Sequence, residues 1–367
     1  MIFLKTDSCM KFAIIGAGNG GQAVSGFLSM QGCQVNLYEI VVERIERLKA
    51  KGKIQLKGKI EGEGVPNLIT GDISEAVKGV DIIIIATIAN AHADVARQLA
   101  PLLEDGQIVI LSPGRTCGAL VFKQALCKAG CKKRIYLAEA QTLVYACRLI
   151  EDGTVNIIGV KDEVLLSALP SSDTRYILEK INKFYPCFKA ADNVFRTSLE
   201  NIGAMFHPCV LLFNAATIER NEVFWFYRDM TEQVAAFIEK FDGERLAVGE
   251  AYGISLLSVR EWIKFAYNDT EGETLCERMR NNPAYHDIKS PSTIFTRQLM
   301  EDIPTGVLPI MELGKAAGVE TPLLEAMVNI CEALLNMDLR GGGRTLANLG
   351  LEGLSKSEII YKITSEQ

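Results

Sequence analysis

A chain of 367 residues, 48% hydrophobic and 23% charged, exceeds what one core commonly supports and is too apolar for disorder, so two globular domains are expected. The net charge of −6, with basic stretches as short and broken as Lys132-Lys133-Arg134, argues against nucleic acid as a partner, because phosphate binding needs clustered Lys and Arg. Ten cysteines form no Cys-x-x-Cys pair and have no His beside Cys127 and Cys131, which excludes an ordinary zinc site and suits a reducing compartment.

The segment from Met1 to Phe12 carries Lys5, Asp7 and Lys11 and lacks the apolar stretch of a secretory signal, with Met10 as an alternative start. The longest apolar run, Val80 to Ala89, contains Asp81 and is about half of a membrane span. A soluble, cytoplasmic protein without a membrane partner is therefore expected.

From Lys11 to about Ala190, short β-rich runs alternate with amphipathic stretches, the pattern of βαβ units in a mostly parallel sheet. Strands are predicted at Lys11 to Ile15, Gln34 to Tyr38, Asp81 to Ala86, Gln107 to Leu111, Arg134 to Leu137 and Thr154 to Val160. Between Gly52 and Gly71 the helical period fails and glycines punctuate short alternating runs, which predicts a β-rich excursion in place of one crossover helix. Beyond Ala190 the β-branched runs give way to helical spacing, as in Val210 to Glu219, Met230 to Tyr252, Val259 to Tyr267 and Pro309 to Ala317. A further helix is expected from Pro322 to about Met337, with Thr321 as its N-cap. Gly341-Gly342-Gly343 reads as a flexible turn. The expected division is an α/β domain over 1–190 and a helical domain over 191–367.

Gly16-Ala17-Gly18-Asn19-Gly20-Gly21 follows the first strand directly and leads into a stretch, Gln22 to Gln31, able to form a helix. In such a turn the first glycine allows the tight bend, the second admits a pyrophosphate to the backbone, and the third lets helix pack on strand. The helix N-terminus then faces the phosphates. Glu39, at the end of the second strand and eighteen residues after Gly21, stands where a carboxylate holds adenosine ribose hydroxyls and repels the extra phosphate of NADP. Arg44 tempers that preference, so NAD is expected, with NADP as the second option. The loops Ala86-Thr87-Ile88, Ser112-Pro113-Gly114-Arg115 and Ala138-Glu139 should complete the cleft, making Thr87, Pro113 and Glu139 cofactor candidates.

Hydride transfer needs an accompanying proton, and histidine is the first side chain to consider. His92, His207 and His286 are the three present. His207, beside Pro208 at the start of a strongly apolar helix, is the one whose polarity asks for a purpose, although residue type alone leaves a structural role open.

The glycine turn, the loop Ser112 to Leu120 and the segments Ser198 to Asn214, Asn282 to Tyr285 and Thr296 to Pro309 resemble opine dehydrogenases, the group of octopine and nopaline dehydrogenases, and among them the bacterial branch forming N-(1-carboxyethyl)-norvaline. The resemblance runs over essentially the whole chain. It implies an α/β Rossmann domain followed by an all-α domain of the 6-phosphogluconate dehydrogenase-like type. It also implies NAD(P)H-dependent condensation of an amino acid amine with a 2-keto acid. His207 matches the family's catalytic histidine and Asp302 its carboxylate partner, which would fix the tautomer and support the imidazolium. Arg297 matches an arginine suited to a substrate carboxylate. Asn201 and Arg115 are weaker substrate candidates, and a homodimer is compatible with the family.

Two departures, Cys117 where relatives often have glycine and His286 where a relative has arginine, leave amino acid specificity open. A 2- or 3-hydroxy acid dehydrogenase of the 6-phosphogluconate dehydrogenase-like group is the rival enzyme. Ser198 to Asn214 lacks the lysine such enzymes use. A non-catalytic dinucleotide sensor is the rival outside catalysis.

Overall fold

The computed structural model describes residues 10–267 and 270–365, so the charged stretch ahead of Met10 lies outside the described residues. The chain divides into two compact units. One comprises residues 10–197 together with 361–365, and the other residues 198–360.

The first unit runs β1 (Lys11–Ile15), α1 (Asn19–Met30), β2 (Gln34–Tyr38), α2 (Val42–Lys51), β3 (Ile54–Gly58), β4 (Gly62–Gly64), β5 (Leu68–Thr70), α3 (Ile73–Val77) and β6 (Ile82–Ile85). It continues with α4 (His92–Leu99), β7 (Ile108–Leu111), α5 (Gly118–Lys128), β8 (Tyr136–Ala140), β9 (Tyr145–Glu151), β10 (Thr154–Val160), β11 (Val164–Ala168), α6 (Thr174–Ile181), β12 (Phe188–Ala190) and α7 (Val194–Leu199). The main sheet has eight strands in the order β12-β11-β8-β7-β6-β1-β2-β5. All its pairings are parallel except β11 with β8. Central strands buried on both faces must be apolar throughout, and β6 (Ile-Ile-Ile-Ile) and β7 (Ile-Val-Ile-Leu) are buried at every position.

The strand register sets the functional edge. Ile15 pairs with both Tyr38 and Ile85, Ile85 with Leu111, and Leu111 with Glu139. The loops after β1, β2, β6, β7 and β8 therefore leave the sheet at one level. The chain runs outward from β1 to β2 and β5, then returns to β6 on the other side of β1. That reversal creates the crevice where open α/β sheets bind ligands.

The excursion after Gly52 is β-rich as expected, yet it serves a second sheet in the order β4-β3-β10-β9. Thr154 to Val160 is a strand with the predicted bounds, but it pairs with β3 and β9 instead of extending the main sheet. Alternation marks the difference, because β9 and β10 expose every second residue or so, which a doubly covered strand cannot do. α1 packs against both sheets. A Cβ on Gly64 would lie 2.1 Å from the Gly26 carbonyl oxygen, so small residues permit this contact.

The second unit is helical: α8 (Gly203–Phe213), α9 (Ala215–Glu219), α10 (Glu232–Ala251), α11 (Val259–Ala266), α12 (Leu275–Asn281), α13 (Arg297–Met300), a turn of π-helix (Ile303–Val307), α14 (Leu308–Ala317), α15 (Pro322–Leu335), α16 (Leu346–Leu349) and the start of α17 (Lys356–Thr364). Three expectations need correction. α8 begins at Gly203 and carries Pro208 inside it, so His207 lies within the helix and not at its start. Thr321 makes no side-chain cap for α15. The Glu244 carboxylate from α10 does so, accepting the Leu323 and Leu324 N–H groups at 2.8 and 2.9 Å. The glycine run is packed at one position and exposed at two: a Cβ on Gly343 would lie 2.4 Å from Leu308 Cδ2 and 2.5 Å from the Leu339 oxygen, while Gly341 and Gly342 are exposed.

A buried ion pair braces the unit. Arg245, fully buried, holds Asp242 at 2.7 Å and donates to the Leu199 and Leu257 carbonyls at 2.9 and 2.6 Å, while Asp242 accepts the Val259 N–H. Among the described residues no helix is long and apolar enough to cross a membrane.

Candidate active site

In the first unit, the glycine turn has the shape that a pyrophosphate requires. Gly16 sits at φ +101°, open to glycine but strained for other residues. A Cβ on Gly21 would meet the Gly16 carbonyl oxygen at 1.7 Å, so α1 packs on its strand only with glycine there. Gly18 differs: nothing lies within 4 Å of the point its Cβ would occupy. α1 follows with no side-chain cap and no acidic residue in its first turn. Its leading N–H groups and positive dipole end therefore carry no competing anion of their own, which is what a bound phosphate requires.

The neighbouring candidates are already engaged. Glu39 is 5% exposed. Its Oε1 accepts the Ile40 and Val41 N–H groups at 2.8 and 3.1 Å, and its Oε2 accepts the Ala17 N–H at 3.0 Å and Arg44 Nη1 at 3.1 Å. The carboxylate thus pins the glycine turn to the end of β2. Asn19 Oδ1 accepts the Leu149 N–H of β9 at 2.9 Å, and a Cβ on Gly20 would lie 2.9 Å from Leu143 Cδ2. Thr87 packs against the Gly16 position, its Cγ2 3.0 Å from where a Cβ would sit.

The loop after β7 contains a cis peptide before Pro113, and Arg115 and Cys117 both adopt left-handed backbone, at φ 59° and 62°. That conformation favours glycine, a physical reason to expect glycine at position 117. Glu139 is wholly buried. Its Oε2 accepts the Ala119 N–H in the first turn of α5 at 2.7 Å, and its Oε1 accepts the Thr197 hydroxyl at 2.7 Å. Its visible work is to cap α5 and hold this loop.

In the second unit, His207 Nδ1 and Asp302 Oδ2 are 2.6 Å apart, with side-chain exposures of 23% and 3%. An ionised carboxylate can only accept, so Nδ1–H donates and Nε2 is left as the ring's proton acceptor. Pro208 has no N–H to give, which interrupts the α8 ladder one residue beyond the histidine. Asp302 immediately precedes the π-helical turn, with Pro304 in that turn. Gly306 is what lets the two elements meet: a Cβ there would lie 2.6 Å from Ala204 Cβ and 3.1 Å from Asn201 Nδ2. Sequence reading missed Gly306, because its constraint comes from a residue about a hundred positions away.

Asn201 is buried just before α8. Arg297 is largely exposed on α13 and engages Glu301 through Nε at 2.8 Å. Phe226 meets the His207 ring edge-on at 6.1 Å. Tyr227 stacks on Tyr285 with centroids 4.4 Å apart. Burial, and then the charge of Asp302, pushes the Tyr227 hydroxyl well above the ordinary tyrosine range, so it stays protonated. The other histidines fall elsewhere. His92 is buried at the start of α4, and His286 is exposed beside Asp287.

A Rossmann-type unit with a glycine turn leading into an uncapped helix, joined in one chain to a helical unit holding a carboxylate-oriented histidine, defines a two-domain NAD(P)-dependent oxidoreductase. The family model described as the N-terminus of NAD-dependent glycerol-3-phosphate dehydrogenase matches residues 11–118. The one described as NAD/NADP octopine/nopaline dehydrogenase, alpha-helical domain, matches residues 190–335. The chain is 36% identical over 350 residues to an opine dehydrogenase of Arthrobacter sp. (strain 1C), covering 95% of this chain and 97% of that one. It is 26% identical to the ocs protein of Agrobacterium tumefaciens (strain Ach5), covering 95% and 98%. A solved octopine dehydrogenase with NADH and L-arginine superposes with a TM-score of 0.80 at 21% identity, over 98% of this chain and 99% of the other. The chain belongs to the opine dehydrogenase family.

Proposed function

We propose that this chain joins the amine of an amino acid to a 2-keto acid and reduces the resulting imine to a secondary amine dicarboxylate, the same machinery running in reverse for oxidation. The observation that carries the reading is the 2.6 Å pair of His207 and Asp302, set in the helical segment that matches the octopine/nopaline family model. The dinucleotide supplies the hydride. Residues of 1–190 hold it: Gly16, Gly18, Asn19, Gly20 and Gly21 at the pyrophosphate, Glu39 and Arg44 at the adenosine ribose, and Thr87, Pro113 and Glu139 along the strand ends.

Residues of 191–367 handle the substrates. His207 exchanges a proton with the reacting nitrogen or oxygen through Nε2, while Asp302 keeps Nδ1 protonated and stabilises the imidazolium as it forms. Arg297 offers a planar fork to a substrate carboxylate, with Asn201 as a further polar contact and Arg115, from 1–190, as another. Glu39 favours NAD, with NADP as the second cofactor. The expected setting is cytoplasmic, as a homodimer, with no membrane partner.

The test is an NADH-oxidation screen crossing several 2-keto acids with the common amino acids, with products identified by mass. A secondary amine product that disappears in His207→Ala supports the reading. Turnover with keto acid alone would favour the hydroxy acid reading, and full activity in His207→Ala would remove the histidine from the mechanism.

A further inference from the structure

A carboxylate offers about four acceptor positions, and Glu39 has four donors on it. Three are backbone N–H groups, of Ala17, Ile40 and Val41, that define the turn itself. The fourth is Arg44 Nη1. A ribose hydroxyl reaching Glu39 can therefore displace Arg44 alone without unwinding the turn. Arg44 has a second partner. Its Nε donates to Asp152 Oδ1 at 3.1 Å, and Asp152 Oδ2 takes Arg47 through Nε at 2.8 Å and Nη2 at 2.7 Å.

Asp152 lies in the turn between β9 and β10, far from the glycine motif in sequence, with its side chain 9% exposed. It is held in place by Gln22 of α1, which donates to Asp152 Oδ1 at 3.0 Å and to the Ala17 carbonyl at 2.8 Å, and accepts the Gly153 N–H at 2.7 Å. Burial alone would raise the Asp152 carboxyl, but Arg47, Gln22 and Arg44 together hold it below the ordinary range. Glu39, Asp152, Arg44 and Arg47 thus form a charge-balanced set in which both guanidinium groups are already paired.

We propose that Asp152 sets the dinucleotide selectivity of this chain, by keeping Arg44 and Arg47 paired and so withholding them from the 2′-phosphate that distinguishes NADP from NAD. This rests on the reading of Glu39 as the ribose end of the site. A 2′-phosphate brings close to two negative charges to a set that sums to zero. Neutralising Asp152 leaves a net positive charge and releases the Arg47 fork and the Nε of Arg44, whose Nη1 stays on Glu39 until a ribose hydroxyl displaces it. The selectivity device is then a positioning residue contributed by the second sheet, acting through arginines on α2.

The test uses adenosine fragments that carry no nicotinamide, so its outcome is independent of which reaction the enzyme runs. Binding of 5′-AMP and of adenosine 2′,5′-bisphosphate to the full chain is measured by calorimetry. In Asp152→Asn, the preference for the bisphosphate should rise at least about tenfold over the native protein, and adding Arg44→Ala and Arg47→Ala should abolish the gain. The NADPH to NADH ratio of kcat/KM should move the same way. A preference unchanged in Asp152→Asn, or a gain that survives loss of both arginines, overturns the proposal. Should Asp152→Asn fail to fold, Asp152→Ser, which removes the same charge with a smaller side chain, decides on the same measurement: the preference for the bisphosphate must rise at least about fivefold, and an unchanged preference overturns the proposal.

Discussion

Replacing Asp302 with asparagine conserves volume and removes one charge from a site where water is scarce. The partner atoms are 2.6 Å apart and the carboxylate side chain is 3% exposed, which places the centres of charge roughly 4 Å apart in surroundings of effective dielectric about 20, where unit charges interact by about 4 kcal/mol. That sum applies only once the imidazolium forms, so it falls on the chemical step and not on binding. Converted at about 1.4 kcal/mol per tenfold, it predicts a loss of about a thousandfold in kcat. The amide adds a second penalty, because its N–H can donate to Nδ1 and turn the ring to the tautomer with no acceptor facing the substrate.

The assay is NADH consumption at saturating amino acid and keto acid, with the NADH dissociation constant and unfolding midpoint measured on the same preparation. The expected pattern is a kcat down by about three orders of magnitude or more, an NADH affinity within about twofold of native, and a KM that moves much less than kcat. A folded Asp302→Asn enzyme with kcat within about threefold of native would refute the orienting role.

The remaining predictions separate fold from function. Gly18→Ala places its methyl in open space, so the unfolding midpoint should be unchanged while NADH binding weakens by about tenfold, about 1.4 kcal/mol; unchanged affinity by calorimetry would put the pyrophosphate elsewhere. Gly306→Ala forces a methyl to 2.6 Å from Ala204 Cβ, an overpacking worth about 1–3 kcal/mol in urea unfolding, and kcat should drop because α8 and the π-helical turn part where they bring His207 to Asp302; native stability and kcat would contradict this. Lys161 donates to the Leu143 carbonyl at 2.7 Å, and burial pushes its amine from 10.5 down to about 8. Between those two values the unfolded chain binds the extra proton, so stability rises with pH there, and below about 8 the full cost is present. Lys161→Met should therefore gain up to about 3 kcal/mol near neutral pH, less about 1 kcal/mol for the lost hydrogen bond. It should also flatten the alkaline slope, and a slope identical to native by urea titration would contradict the assignment.

What the sequence disclosed and what it withheld follow one physical division. β1 and β2 carry the bounds read from their apolar runs, and the tight bend at Gly16 and the close packing at Gly21 are visible in the spacing because those constraints act within one strand-turn-helix unit. The His207 and Asp302 pairing, 95 residues apart, was reachable only through resemblance, since no local pattern reports a contact at that separation. The same limit explains the misplacements. Thr321 has the composition of an N-cap, yet Glu244 takes the post from a neighbouring helix. Thr154 to Val160 reads as a strand without revealing which sheet it joins.

Glu39 is the most instructive residue, because its position in the sequence shows nothing of the partners it already has. A carboxylate read as waiting for ribose proves to be saturated, three parts by the turn it organises and one by Arg44. On the proposed reading of Glu39 as the ribose end, recognition there works by exchange: a ligand hydroxyl gains Glu39 only as an arginine lets go. On that reading the preference for one dinucleotide over the other turns on where the arginine goes next, which is why the proposal falls on Asp152, a residue that no motif marks.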